Sequence, residues 1–79
     1  MLEFFRTVKR KKIAKYSYII VQEYINEKEE SIYNASIEES EEGYISITTD
    51  LFESKDLTTV LSYYEILVKI FNYGKKYKE

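Results

Sequence analysis

The chain has 79 residues, with 14 acidic and 12 basic side chains and neither histidine nor cysteine. This length corresponds to one domain. Without cysteine the chain can form no disulfide or thiolate metal site, and without histidine it lacks the usual proton carrier near neutral pH. No stretch approaches the roughly 20 apolar residues of a membrane span. The N-terminus places its apolar residues before its charges, which is the reverse of a secretory signal.

Charge is unevenly distributed along the chain. The charged residues of segment 6–15 are all basic, those of segment 23–56 are mostly acidic, and those of segment 75–78 are basic again. A basic block can contact phosphates, or it can neutralise acids elsewhere in the fold. The basic side chains that would contact nucleic acid are Arg6, Lys9, Arg10, Lys11 and Lys12.

Residues 1–14 fit two secondary structures. The segment LEFFRTVK has the β-branched and aromatic residues of a strand, which RKK would end with a turn. A short helix with Leu2, Phe5 and Val8 on one side fits the spacing nearly as well.

Residues 15–26 form a predicted strand in which both faces are apolar. Ile19, Val21 and Ile25 point to one side, whereas Tyr16, Tyr18, Ile20 and Tyr24 point to the other. The neighbouring strand must decide which side belongs to the core.

Strands at 31–39 and 44–49 flank the turn SEEG, in which Gly43 can adopt the left-handed conformation. Closing the turn between Ser40 and Tyr44 pairs Ile37 with Ile47. The odd-numbered face is then apolar and the even-numbered face polar. A looser turn at 26–30, pairing Ile25 with Tyr33, extends this parity to the first strand, with Glu23 as an exception.

A C-terminal helix is predicted over 55–73, with Ser54 as N-cap and Asp56 in the first turn. One apolar stripe should pack on the odd-numbered sheet face: Leu57, Val60, Leu61, Tyr64, Val68 and Phe71. A second stripe contains Ile66, Ile70 and Tyr73, with Tyr63 and Tyr77 nearby. The predicted fold is therefore α+β: a small antiparallel sheet of three or four strands in a meander, with one C-terminal helix packed on one face.

Catalytic chemistry is poorly represented. No glycine-rich phosphate loop is present. Asp50, Glu53 and Asp56 are spaced like possible cation ligands, but turn and capping roles explain them and the calcium-loop pattern is missing. Asn34-Ala35-Ser36 matches a glycosylation acceptor within a predicted strand. We expect no enzymatic activity, no metal and no cofactor.

Surplus apolar surface instead predicts a protein-binding module. Tyrosine accounts for nine residues, and tyrosines are amphipathic contact groups enriched at interfaces. The partner could be another protein or a second copy, or residues 1–14 could cover the tyrosines within the fold. Nucleic-acid binding by the basic block, or nucleic-acid mimicry by the acidic hairpin 23–42, are alternatives, and we expect no membrane anchoring. The interface candidates are Tyr16, Tyr18, Ile20, Tyr24, Tyr44, Ile66, Ile70 and Tyr73.

In size and in its wealth of Lys, Glu, Ile and Tyr, the chain resembles the small early proteins with which lytic bacteriophages take over their hosts. Many proteins of AT-rich genomes, including those of archaeal viruses, have a similar composition. The resemblance is one of class and carries no site residues. It implies a cytoplasmic protein without an active site that binds and inhibits a host protein in transcription, replication, cell division or defence.

Overall fold

A four-stranded antiparallel sheet and one helix make up the fold of the computed structural model, which describes residues 2–40 and 46–77, with side chains as far as residue 71. The strands are β1 (Glu3–Ala14), β2 (Ser17–Ile25), β3 (Ser31–Ser40) and β4 (Ser46–Ser54), and the helix is α1 (Leu57–Tyr77). Their order in the sheet is β1-β2-β3-β4. The predicted α+β meander with a C-terminal helix is confirmed.

The odd-numbered face of β2 and β3 packs against the helix, as the parity argument predicted. Val21 and Ala35 form the buried centre of the core with Val60 of α1. Val8, Tyr33, Phe52, Tyr63 and Tyr64 pack around it. We call this side of the sheet the helix face. The opposite side, which includes Tyr18, Ile20 and Tyr24, is called the tyrosine face.

Residues 3–14 form a strand in the plane of the sheet. β1 continues through the RKK segment, where a turn was predicted, and the chain turns at Lys15 and Tyr16. Its pairing with β2 shifts three times, next to Phe5, Val8 and Ile13. Such bulges bend a strand and re-aim its side chains. Val8 packs on the core and Ile13 is buried, while Phe5 stays exposed.

The hairpin registers differ from the predicted ones by two residues. Ile37 lies opposite Thr49 rather than Ile47, and Ile25 lies opposite Ser31 rather than Tyr33. Residues 41–45, including Gly43 and the start of the predicted strand 44–49, lie outside the described part of the chain. A shift of two residues preserves which face a side chain occupies. The core assignment in β2 and β3 therefore survived a wrong register.

A bulge in the last hairpin changes the parity of β4. Ser36 lies opposite Asp50, but the preceding Ala35 lies opposite Phe52. The extra residue in β4 moves Phe52 to the helix face, where its ring stacks on Tyr63 with the centroids 5.0 Å apart. Tyr63 thus packs on the sheet, although the sequence placed it near the outer helix stripe.

The helix begins at Leu57, two residues later than predicted. Asp56 is the N-cap, since its Oδ1 accepts a hydrogen bond from the Thr58 backbone N–H at 3.2 Å. Its Oδ2 accepts another from the Thr59 hydroxyl at 2.6 Å. Ser54, the predicted cap, ends β4 and accepts the Asp56 N–H at 3.0 Å.

Candidate functional site

The residues predicted to form one interface lie on two sides of the sheet. Tyr18, Ile20 and Tyr24 alternate along β2 on the tyrosine face. Ile66 and Ile70 belong to α1, which covers the helix face. Tyr44 and the Tyr73 side chain lie outside the described residues. The sheet itself therefore separates the two halves of the predicted interface.

The tyrosine face has few uncovered apolar groups. The side chain of Arg10 lies over the Tyr18 ring, with Cζ 3.9 Å from the ring centroid, and its guanidinium reaches a Glu38 carboxylate oxygen at 3.4 Å. The face of an aromatic ring attracts a guanidinium, so this cation–π contact holds Arg10 over the Tyr18 ring. Ile20 is only 5% exposed, so it offers almost no surface to another molecule. Ile20, one of the interface candidates, is therefore buried within the fold.

Tyr24 is held at the opposite end of this face. The Phe4 ring meets it edge-on, with centroids 5.8 Å apart, and the Tyr24 hydroxyl donates to Gln22 Oε1 at 2.9 Å. Because β1 pairs beside β2, Phe4 packs against the side of Tyr24 and remains exposed. The N-terminal aromatic residues therefore flank the tyrosine face and do not fold over it.

Tyr16 lies in the turn between β1 and β2 and is exposed, with Lys15 Nζ 5.3 Å from its ring centroid.

The outer surface of the helix carries an uncovered apolar pair. Ile66 and Ile70 are 57% and 59% exposed, and their four-residue spacing places them next to each other. We call these two side chains the outer patch. Val60 of the same helix is fully buried on the sheet, which fixes the orientation of α1. Among the described side chains of the predicted interface, those of the outer patch are therefore the most exposed and the most accessible to another molecule.

The basic block is divided between the two faces of the sheet. Arg6, Lys9 and Lys11 pair with helix-face residues of β2, whereas Arg10 and Lys12 pair with Ile20 and Tyr18. Arg6 Nε donates to Glu23 Oε1 at 2.7 Å, and Arg10 contacts Glu38. Within the described residues no ion pair involves Lys9, Lys11 or Lys12. Among the residues that the structure describes, the block thus neutralises acids of the fold through Arg6 and Arg10 and presents three further lysines, without an ion pair, on an edge strand.

Glu23, the exception on the helix face, is a buried and fully paired carboxylate. It is 5% exposed, and the Ser31 hydroxyl donates to its Oε2 at 2.6 Å. The hydrogen bond from Ser31, together with the bond and charge of Arg6, lowers the pKa of Glu23 against the opposing effect of burial. This cluster joins β1, β2 and β3 at one end of the sheet.

Among the described residues, Glu30 and Tyr64 also have shifted pKa values. Hydrogen bonds from Asn26 and Lys55, and the charge of Lys55, lower the pKa of Glu30. Burial raises the pKa of Tyr64 in the core, with a further contribution from the Glu65 charge. Each shift follows from a structural contact. The described residues contain no group of three potential ligands that could hold a metal ion.

Sequence reasoning missed two exposed groups. Phe5 is left exposed at a β1 bulge, and Ile47, which was assigned to the core, is 64% exposed on the edge strand β4. The exposure of these two side chains could not be predicted without the strand register. The alternation of apolar residues in the sequence reveals neither a bulge nor a two-residue shift in pairing.

Known proteins give no guide to this chain. Comparison with protein families, curated proteins and solved structures finds no match. In the part of the chain that the structure describes, α1 is not apolar enough over a sufficient length to cross a bilayer.

Proposed function

We propose that this chain is a non-enzymatic protein-binding module whose main contact surface is the outer patch. The observation that carries the proposal is the exposure of Ile66 and Ile70, at 57% and 59%, on a helix whose other side is anchored by Val60. Isoleucines four residues apart are the anchor spacing of a helix that docks into an apolar groove. Burying one such side chain completely contributes about 1.5–3 kcal/mol.

The kind of partner follows from the class resemblance. Small early proteins of lytic viruses typically act by occupying a surface of a host protein, and the present chain has their size and composition. We therefore propose a viral protein that works in the host cytoplasm and inhibits a component of transcription, replication, cell division or defence. The outer patch would enter an apolar groove of that component.

The test replaces Ile66 and Ile70 together with Asp and uses the variant in a pull-down from bacterial lysate washed at moderate salt. A specific protein should be retained by the wild type and lost with the variant, because two carboxylates cannot enter an apolar groove without a large desolvation cost. Thr58→Asp with Ser62→Asp is the matched control, since both positions are exposed and also lie four residues apart on α1. Equal retention by the outer-patch variant and the control would refute the assignment.

The tyrosine face is tested separately with Tyr18→Ser and Tyr24→Ser. A folded double variant that loses the partner would move the contact surface to this face. An unfolded one would show that the Arg10 and Phe4 contacts make it part of the fold.

Nucleic-acid binding is the second candidate, favoured by Lys9, Lys11 and Lys12 on β1, which form no ion pair with the described residues. Three phosphate contacts predict a salt dependence of log K against log salt of about −2 for single strands. Recovery of nucleic acid alone in the pull-down, with such a slope, would replace the protein-binding proposal. Mimicry by the acidic hairpin is weakened by the pairing of Glu38 with Arg10.

A further inference from the structure

The two edges of the sheet differ in how well they are protected. β1 is rich in Lys and Arg, and its pairing is interrupted three times. Charged residues and bulges both discourage a second sheet from adding to an edge. The first part of β4, residues 46–50, has no Lys, Arg or Pro and no register shift. All five of its residues are exposed, and Ile47 is the most exposed large apolar side chain of the described residues.

We propose that a second copy of the chain adds its own β4 to this edge, antiparallel and related by a two-fold axis at Thr48. Pairing of identical strands about a two-fold axis is self-complementary and closes at two subunits. Residues of the same parity then lie opposite each other, so both helices lie on the same side of a continuous eight-stranded sheet. The contact is separate from the outer patch and would leave it accessible.

The side chains of 46–50 match in this register. Ile47 lies opposite Thr49 of the partner subunit, Ser46 lies opposite the partner's Asp50, and the two Thr48 side chains meet at the axis. β-Branched pairs, Thr pairs and pairs that can hydrogen-bond are favourable cross-strand neighbours. An axis at Asp50 would instead oppose two carboxylates, and an axis at Thr49 would bring the bulge at Leu51 into the pairing. Within the described residues 46–50, which contain no bulge, Thr48 is therefore the centre that pairs the most residues without a like-charge contact.

A second copy fits this edge better through β4 than through β1. A β4–β1 contact would bring Asp50 and Glu53 near the basic strand, but the three β1 bulges interrupt the ladder of hydrogen bonds. It would also leave one edge of each type free, so the sheet would grow beyond two chains. The mass of the assembly distinguishes the two arrangements, because β4–β4 pairing stops at two chains and β4–β1 pairing does not.

The experiment is sedimentation equilibrium of the full chain between about 10 µM and 1 mM, a range that reaches weak association, because a five-residue strand contact is smaller than a standard interface. The mass should rise with concentration from one chain to two and stop there. Thr48→Lys and Thr48→Glu should each weaken dimerisation at least about 10-fold, since like charges meet at the axis. An equimolar mixture of the two variants should restore it. Thr7→Lys adds the same charge on the exposed β1 edge and should change nothing.

A wild-type chain that stays monomeric at the highest concentration would overturn the proposal. Assembly beyond two chains, or a dimer that survives in both folded Thr48 variants, would do the same. Loss of the dimer in the Ile66→Asp, Ile70→Asp variant with wild-type behaviour at Thr48 would assign self-association to the outer patch instead. Rescue by mixing separates loss of the contact from loss of the fold, which circular dichroism also checks for each variant.

Discussion

Truncation of Val60 to Ala should destabilise the domain strongly, because this side chain is the fully buried contact of α1 at the centre of the core. Val60 is fully buried against Val21 and Ala35 of the two central strands. Removing two carbons costs about 1.6 kcal/mol of transfer free energy, at about 0.8 kcal/mol per buried methylene. A residual cavity of about 40 Å³ adds about 1 kcal/mol. The higher helix propensity of Ala returns about 0.6 kcal/mol, so the net loss is about 2 kcal/mol.

Thermal unfolding followed by circular dichroism measures this loss. For a domain of this size, about 2 kcal/mol corresponds to a fall in Tm of about 8–16 °C. Ile66→Ala on the same helix is the matched control, and its free energy of unfolding should change by no more than about 0.5 kcal/mol because the side chain is exposed. A fall of less than about 3 °C for Val60→Ala, or an equal fall for Ile66→Ala, would show that α1 does not pack in the described orientation.

Three further perturbations test single contacts. Asp56→Ala should cost about 1 kcal/mol through loss of the N-cap, with Ser54→Ala costing less; equal costs in urea unfolding would contradict the cap assignment. Glu29 has a φ of 62°, so Glu29→Gly should raise Tm by a few degrees, and a lower Tm would show that the residue is not strained. Because the pKa of Glu23 is lower in the folded state, its stabilising contribution is complete above the ordinary value of 4.5 and is lost as pH falls through the folded pKa. Glu23→Gln should reduce the loss of unfolding free energy as the pH falls below 4.5. An unchanged dependence on pH would show that Glu23 does not contribute to it.

The sequence predicted the architecture because alternation has a period of two and tolerates the errors that were made. Val21 and Ala35 were placed in the core although both hairpin registers were displaced by two residues. Phe52 could not be placed, since the extra residue in β4 reverses the parity only in the last part of the strand. Strand lengths and bulges depend on contacts between strands, which a single strand's pattern does not contain.

The candidate site was less predictable than the fold. Ile66 and Ile70 were selected because their stripe exceeds what one sheet can cover, and both are exposed. Tyr18 and Ile20 were selected by the same reasoning, but Arg10 covers one and the surrounding side chains bury the other. Whether a long basic side chain lies over a neighbouring ring depends on strand pairing, so composition alone overestimates the exposed apolar surface.

The uninterrupted ladder between β2 and β3 has a consequence for the order in which the chain folds. These strands pair residue by residue without a register shift, from Ser17 opposite Glu39 at one end to Ile25 opposite Ser31 at the other. Their turn is already closed by Asn26, whose Oδ1 accepts the backbone N–H groups of Lys28 and Glu30. A hairpin with so short a loop forms in about 1–10 µs, before bulged partners can find their register. The central hairpin can therefore template the rest, and substitutions at Asn26 should slow folding more than they speed unfolding.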